Sequence, residues 1–260
     1  MPLDTPPKRL PITLPSIVMR FSLAFCVIAP ASTLYILVCL LLLPFRTLRI
    51  RAGNLLGKLI GPSVFRLAGS HPVIKHRERV AESTPALFVC NHTSTVDMWV
   101  GMWLCPFGGC GTAKKEIVKI PFFGQAYYLS GHLLVDRGNR ENAIRSMQSA
   151  GDVVRKHKLS LWMWPEGTRS RTGKLRPLKK GFVHLAIATG LPVVPVVFHD
   201  ADLMWPGGSF RAVSGDLKID VLEPIDTSNW KAETASEHAM EVWWAFQNSL
   251  SDRQKGEPPQ

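Results

Sequence analysis

Five short apolar runs recur between residues 86 and 221, at 86–90, 131–135, 159–164, 191–198 and 217–221, and the longer gaps between them can hold helices. Helical periodicity places helices over 96–104, 139–156 and 180–189, with a further one over 237–250 that brings Val242, Trp243, Phe246 and Leu250 onto or near one face. Strand-length runs alternating with helix-length stretches predict an α/β fold: a single layered domain with a largely parallel sheet flanked by helices. A chain of 260 residues can bury one sizeable core, so one domain plus an appendage is the expected size. The run 192–196 reads as a buried strand whose two prolines stand where backbone donors are dispensable, at a strand start and near an edge or site rim.

The appendage lies at the N-terminus. Residues 21–45 carry no charge and are bounded by Arg20 and Arg46, and no acidic residue occurs between Asp4 and Glu78. About 20 apolar residues can span a bilayer, but Pro30 divides this run into arms at 21–29 and 31–43. A kinked span and a helix–turn–helix hairpin in one leaflet both remain open, because the two flanks are equally basic. A cleaved signal peptide lacks a small-x-small site leading into polar sequence. Over 46–67, leucines mix with Arg49, Arg51, Lys58 and Arg66, as in a segment lying along lipid headgroups; its glycines and Pro62 argue against one continuous helix. The expectation is an N-terminal apolar helical membrane anchor over 1–70, a folded domain over 71–252 and a disordered tail over 253–260.

The net charge of +11 calls for an anionic partner. A basic, apolar N-terminal third points to a phospholipid bilayer and away from nucleic acid, for which no recognition motif is present. The five cysteines have no zinc spacing, so no metal is expected and free thiols are the reading.

The chemistry concentrates at Cys90-Asn91-His92-Thr93-Ser94-Thr95-Val96-Asp97. A histidine just past a strand can point into the crevice where open α/β sheets bind ligands. Asp97, five residues on, can fold back onto the imidazole, fix its tautomer and leave the other nitrogen free to take a proton from a hydroxyl. Ser94 and Cys90 raise the alternative of covalent catalysis, although a serine before a helix more often caps it.

Further blocks follow in order: Lys115-Glu116-Ile117, Pro121-Phe122-Phe123-Gly124, Val135-Asp136-Arg137, Trp164-Pro165-Glu166-Gly167-Thr168-Arg169-Ser170 and Leu191-Pro192-Val193-Val194-Pro195-Val196. This series resembles the glycerolipid acyltransferase family, whose best-known members are 1-acyl-glycerol-3-phosphate acyltransferases. Trp164 stands where that family usually has Phe, and Ile117 where Leu is common. The resemblance implies that 71–252 is an acyltransferase domain, and that His92 and Asp97 are catalytic. It places Lys115, Arg137, Glu166, Gly167, Thr168 and Arg169 in the substrate site, at the acceptor's glycerol phosphate. Glu166 is read as ordering its loop through a base or backbone amides, and an ion pair with Asp136 or Glu141 is the plain alternative for Arg137.

The reaction so implied is attack by the free hydroxyl of lysophosphatidate on an acyl thioester, giving phosphatidate. Acyl-CoA or acyl carrier protein would be the co-substrate, no cofactor would be needed, and the enzyme would sit at the cytoplasmic face of a membrane. Another lysophospholipid or a lyso-aminolipid as acceptor, and a non-catalytic membrane lipid-binding protein, are the alternatives. Met98, Trp99, Met102 and Trp103 recur at helical spacing as core or as wall of an acyl channel. The six cations of 169–180, with no acid among them, form either a solvated face or a site for headgroups or donor phosphates.

Overall fold

The structure, a computed structural model, describes residues 14–119, 123–136, 140–207 and 212–259. In chain order the elements are α1 (Leu14–Leu41), α2 (Arg46–Ala68), β1 (Ser70–Lys75), α3 (Glu78–Glu82), β2 (Leu87–Cys90), α4 (Val96–Leu104) and β3 (Gly109–Lys114). A 3-10 turn (Lys115–Lys119), α5 (Phe123–Leu129), β4 (Leu133–Val135), α6 (Arg140–His157) and β5 (Ser160–Met163) follow. The chain then forms α7 (Gly181–Thr189), β6 (Val193–His199), α8 (Ala201–Met204), β7 (Gly215–Val221) and α9 (Ala235–Ser249).

All seven strands form one sheet in the order β1-β7-β6-β2-β5-β3-β4. Every neighbouring pair is parallel except β6 with β7. The five expected strands are present. The two additional ones, β1 and β3, lack an apolar run: β1 is an edge strand whose residues past Ser70 alternate between exposed and half-buried, and β3 is Gly-Cys-Gly-Thr-Ala-Lys. Strands β2 and β5 are buried throughout, as helices on both faces require. Successive β2 residues point to opposite faces. Leu87 and Val89 meet the layer of Phe182, Trp243 and Phe246 from α7 and α9. Phe88 and Cys90 meet the layer of Val96 and Val100 from α4 and Phe65 from α2.

The topology opens a crevice at the C-terminal ends of β2 and β5. These strands are adjacent, but β2 leads through α4 to β3 on one side, whereas β5 leads through α7 back across to β6 on the other. Loops leaving adjacent strands in opposite directions are where open α/β sheets receive ligands.

Three expectations need correction. Pro30 does not divide the apolar run: α1 continues through it, and the chain reverses at 42–45. Helix α2 likewise runs unbroken through its glycines and Pro62. The glycines serve contact, since Gly53, Gly57 and Gly61 recur every four residues and share one face. A Cβ on Gly53 would lie 2.5 Å from Tyr35 Oη of α1, one on Gly61 would lie 2.7 Å from Trp103 Cβ of α4, and one on Gly57 would strike the Met102 carbonyl. Close packing against both neighbours outweighs the low helix propensity of glycine. Second, Pro195 is internal to the sheet, between β2 and β7. Its carbonyl accepts from Leu222 N, after which the chain bulges to the mutual hydrogen bonds of Val193 and Ile225, so no ladder donor is needed at the proline. Third, residues 253–256 are held. Gln254 is fully buried, its carbonyl accepts from Leu175 N at 2.8 Å, and Gln247 and Gly256 exchange two hydrogen bonds.

Within α1, Val18–Leu41 is long and apolar enough to cross a membrane by length and composition. Leu23, Phe25, Leu34, Leu37, Leu40 and Leu41 are exposed on it.

Candidate active site

Asp97 stands in the first turn of α4 and is wholly buried. Its Oδ2 accepts from the backbone N–H groups of Thr93 and Ser94, each at 2.8 Å, and from His92 Nδ1 at 2.9 Å. Three bonds on one oxygen close the turn and fix the imidazole with Nδ1 as donor, so Nε2 is left as the acceptor. The two partners differ in access: the His92 side chain is 14 % exposed and that of Asp97 is 0 %. Trp164 stacks on the imidazole with centroids 5.0 Å apart and planes 27° apart.

The loop leaving β5 is bonded directly to His92. Glu166 Oε1 accepts from His92 N at 2.6 Å, and Oε2 accepts from Arg176 N at 3.2 Å. Ser170 N donates to the His92 carbonyl at 2.7 Å. Burial pushes the Glu166 carboxyl up to about 8, against the two N–H donors that favour its ionised form. Gly167 adopts φ +75°, a conformation that favours glycine, and a Cβ there would lie 3.0 Å from Lys179 Cε and press on the flexible end of that side chain. Arg169 is half-buried; its stem passes Gly207, whose Cβ position is 3.0 Å from Arg169 Cδ and 3.6 Å from the Thr93 carbonyl. Arg169 Nε is buried with no hydrogen-bond partner among the described residues. Thr168 is exposed at the loop surface.

His92, Asp97, Glu166, Gly167 and Arg169 are therefore gathered at one crevice. Lys115 sits apart, at the start of the 3-10 turn, with its Nζ 2.8 Å from Asp136 Oδ2. That bond raises the lysine's proton affinity. Arg137 itself lies outside the described residues. Among the described residues, no group of three or more His, Cys, Asp and Glu side chains could hold a metal ion.

Neither alternative nucleophile is free. Ser94 Oγ donates to the Trp205 carbonyl at 2.5 Å and accepts from Val96 N at 3.1 Å, so it caps and pins the turn. Cys90 is buried, which pushes its thiol well up, away from the thiolate. Two supporting residues escaped the sequence reading. Asn91 ties the turn to β6 by exchanging hydrogen bonds with Phe198 N (2.7 Å) and O (2.9 Å). Trp164 covers the imidazole. Asn91 adjoins the motif, which is a weak signal; nothing in the sequence announces the stacking.

Beside this crevice an apolar cavity of about 210 Å³ runs between the sheet and the helices. Met98, Gly101 and Met102 of α4, Trp162 and Trp164, and Tyr35 and Leu56 of α1 and α2 are among its walls. The helical repeat that reads as core or channel wall is thus divided: Met98 and Met102 line this cavity, whereas Trp99 and Trp103 pack against the core of the α4 side.

Comparison with known proteins places this arrangement. The family described as Acyltransferase matches residues 71–199, a span from β1 to the end of β6 that includes both loops of the crevice. A 1-acyl-sn-glycerol-3-phosphate acyltransferase from Limnanthes douglasii is 38% identical over 236 residues, 91% of this chain and 83% of that protein. Another from Cocos nucifera is 37% identical over 238 residues, 92% of this chain and 77% of that protein. The crystal structure of the 1-acyl-sn-glycerophosphate (LPA) acyltransferase, PlsC, from Thermotoga maritima shares the fold with a TM-score of 0.67 at 24% identity, covering 90% of this chain and 95% of that one. The protein is accordingly an α/β enzyme of acyl transfer. More narrowly, it belongs to the glycerolipid acyltransferase family.

Proposed function

We propose that this enzyme moves an acyl group from a thioester donor to the free hydroxyl of 1-acyl-glycerol-3-phosphate, forming phosphatidate at the cytoplasmic face of a membrane. The observation that carries this reading is the buried Asp97 carboxylate bonded to His92 Nδ1, which leaves Nε2 as a base at a crevice where Ser94 Oγ is already hydrogen-bonded and Cys90 is buried. The hydroxyl oxygen attacks the thioester carbon while Nε2 takes its proton. Asp97 stabilises the imidazolium, the C–S bond breaks, and the departing thiolate recovers the proton. General-base help of this kind contributes roughly 10²–10⁴ in rate.

Arg169 suits the acceptor phosphate, because a guanidinium presents a planar fork to phosphate oxygens and its buried Nε has no protein partner among the described residues. The names of the relatives support lysophosphatidate as acceptor. The apolar cavity behind Trp164 suits the acyl chain, and the exposed apolar side of α1 suits a bilayer. The test is His92→Ala, assayed with lysophosphatidate and acyl thioesters and with products resolved by mass. Turnover should fall at least about 10²-fold with the fold intact. Near-wild-type turnover in a folded variant would overturn the mechanism.

A further inference from the structure

The loop that carries Arg169 continues to Lys180 with five more cations, Arg171, Lys174, Arg176, Lys179 and Lys180, and no acid. It has no regular secondary structure but is firmly held. Glu166 shares its carboxylate between His92 N and Arg176 N, Leu175 N donates to the Gln254 carbonyl, and Lys179 N donates to the Pro165 carbonyl. Gly173 and Leu175 are buried beneath the loop, whereas Arg171, Lys174 and Lys180 are exposed. The side chains on the solvent side are thus presented by a fixed backbone.

Among the described residues no carboxylate pairs with Arg171, Lys174 or Lys180, while cations elsewhere do find acids, as Arg79 does with Glu223 and Lys255 with Asp252. Of the acids beside the loop, Asp200 and Asp202 are bonded to Arg253 at 2.6 and 2.7 Å, directly against Gly173, and the Glu166 carboxylate is shared between His92 N and Arg176 N. A concentration of like charge beside a catalytic crevice, with adjacent carboxylates occupied elsewhere, is arranged for a multiply charged anion. The acceptor's single phosphate is already met at Arg169.

The loop lies at the end of the sheet and touches both of its layers: Leu175 packs with Phe182, Trp243 and Phe246 of the α7–α9 layer, and Gly173 lies against Asp202 of α8, whose Ala201 and Met204 pack with the α4 layer. It borders the crevice directly, since His92 N and Arg176 N share the Glu166 carboxylate.

We propose that residues 171–180 bind the phosphates of a nucleotide thioester, coenzyme A, so that the donor's charged end rests on this loop while its acyl end enters the crevice at His92. This rests on the acyl-transfer reading above. A cluster of three phosphates on one nucleotide matches several cations within a short loop.

The test uses the full chain in detergent and the triple substitution Arg171→Gln/Lys174→Gln/Lys180→Gln, with Arg171→Lys/Lys174→Arg/Lys180→Arg as the charge-retaining control. The KM for acyl-coenzyme A should rise at least about tenfold in the Gln variant, with kcat within about twofold, and the control should stay near wild type. The KM for the corresponding acyl-pantetheine thioester, which has no nucleotide, should not move. Direct binding of adenosine 3′,5′-bisphosphate should weaken in parallel with the acyl-coenzyme A effect and with added salt. Equal rises for both thioesters, or an unchanged KM for acyl-coenzyme A, would overturn the proposal. So would an effect confined to an acyl carrier protein thioester, or loss of binding to phosphatidylglycerol vesicles with donor KM intact. If no donor supports transfer yet bisphosphate binding is lost in the Gln variant and kept in the control, the acyl-transfer reading fails and the phosphate site stands.

Discussion

Substituting Asp97 by Asn separates orientation of the base from stabilisation of its charge. Three hydrogen bonds converge on Oδ2, while Oδ1 is buried with no partner among the described residues. Asn can place its oxygen at the Oδ2 position and keep all three bonds, so the imidazole stays oriented. Its Nδ2 then occupies the Oδ1 position as a buried donor without an acceptor, at a cost of about 1–3 kcal/mol in stability. The opposite rotamer sets an N–H donor against three others and is worse. What the variant loses for catalysis is the anion beside the imidazolium. With His92 Nδ1 and Oδ2 2.9 Å apart, charge centres about 4 Å apart interact by ~4 kcal/mol at an effective dielectric near 20. That sets a ceiling of roughly 10³ on the loss of kcat. The assay is kcat at saturating donor and acceptor, with Tm followed by circular dichroism. The expected result is a kcat lower by about 10²–10³ with an acceptor KM close to wild type. Asp97→Ala should fall further, since it also frees the ring and strands the Thr93 and Ser94 N–H groups. A folded Asp97→Asn enzyme within about tenfold of wild-type kcat would refute the argument that the carboxylate's charge assists the base.

Arg169→Ala should raise the KM for lysophosphatidate by about 10- to 100-fold, the equivalent of one charged hydrogen bond, and an unphosphorylated acceptor should lose little further; equal losses for both would remove Arg169 from the phosphate site. Glu166, raised from 4.5 to about 8 by burial, binds a proton in the folded chain that the unfolded chain has already released between those values. Stability from this residue is thus present at low pH and is lost as pH rises through that window. The stability of Glu166→Gln relative to wild type, from urea unfolding, should therefore rise steadily from about pH 5 to about pH 8, and a difference that stays constant across that window would contradict the assignment. The full chain should pellet with membranes and resist release by high salt, whereas removal of residues 1–45 should make it markedly more soluble. Recovery of the full chain without detergent at low salt would show that α1 is covered by protein.

The parts of this protein legible in its sequence are those set by local chemistry. Strands β2, β5 and β6 are buried on both faces and so had to be apolar runs, and the turn from His92 to Asp97 closes within six residues through bonds among its own atoms. Where distant segments supply the stabilisation, local pattern misled or was silent. Strand β3 is glycine-rich and exists because β5 and β4 pair with it on either side. The glycines of α2 look like helix breakers until Tyr35, Met102 and Trp103 are set against them. Glu166 carries no sign in the sequence that both its oxygens will be spent on N–H groups 74 and 10 residues away. Sequence alone determined that a histidine and a carboxylate would meet at the end of a strand, because five residues of backbone bring them together. Only the tertiary structure decided that a second loop, bonded to the histidine's own backbone, would bring Arg169 and the exposed cations Arg171, Lys174 and Lys180 to the same crevice. That juxtaposition depends on β5 lying beside β2, a neighbourhood fixed by packing across the whole sheet and by nothing local to either loop.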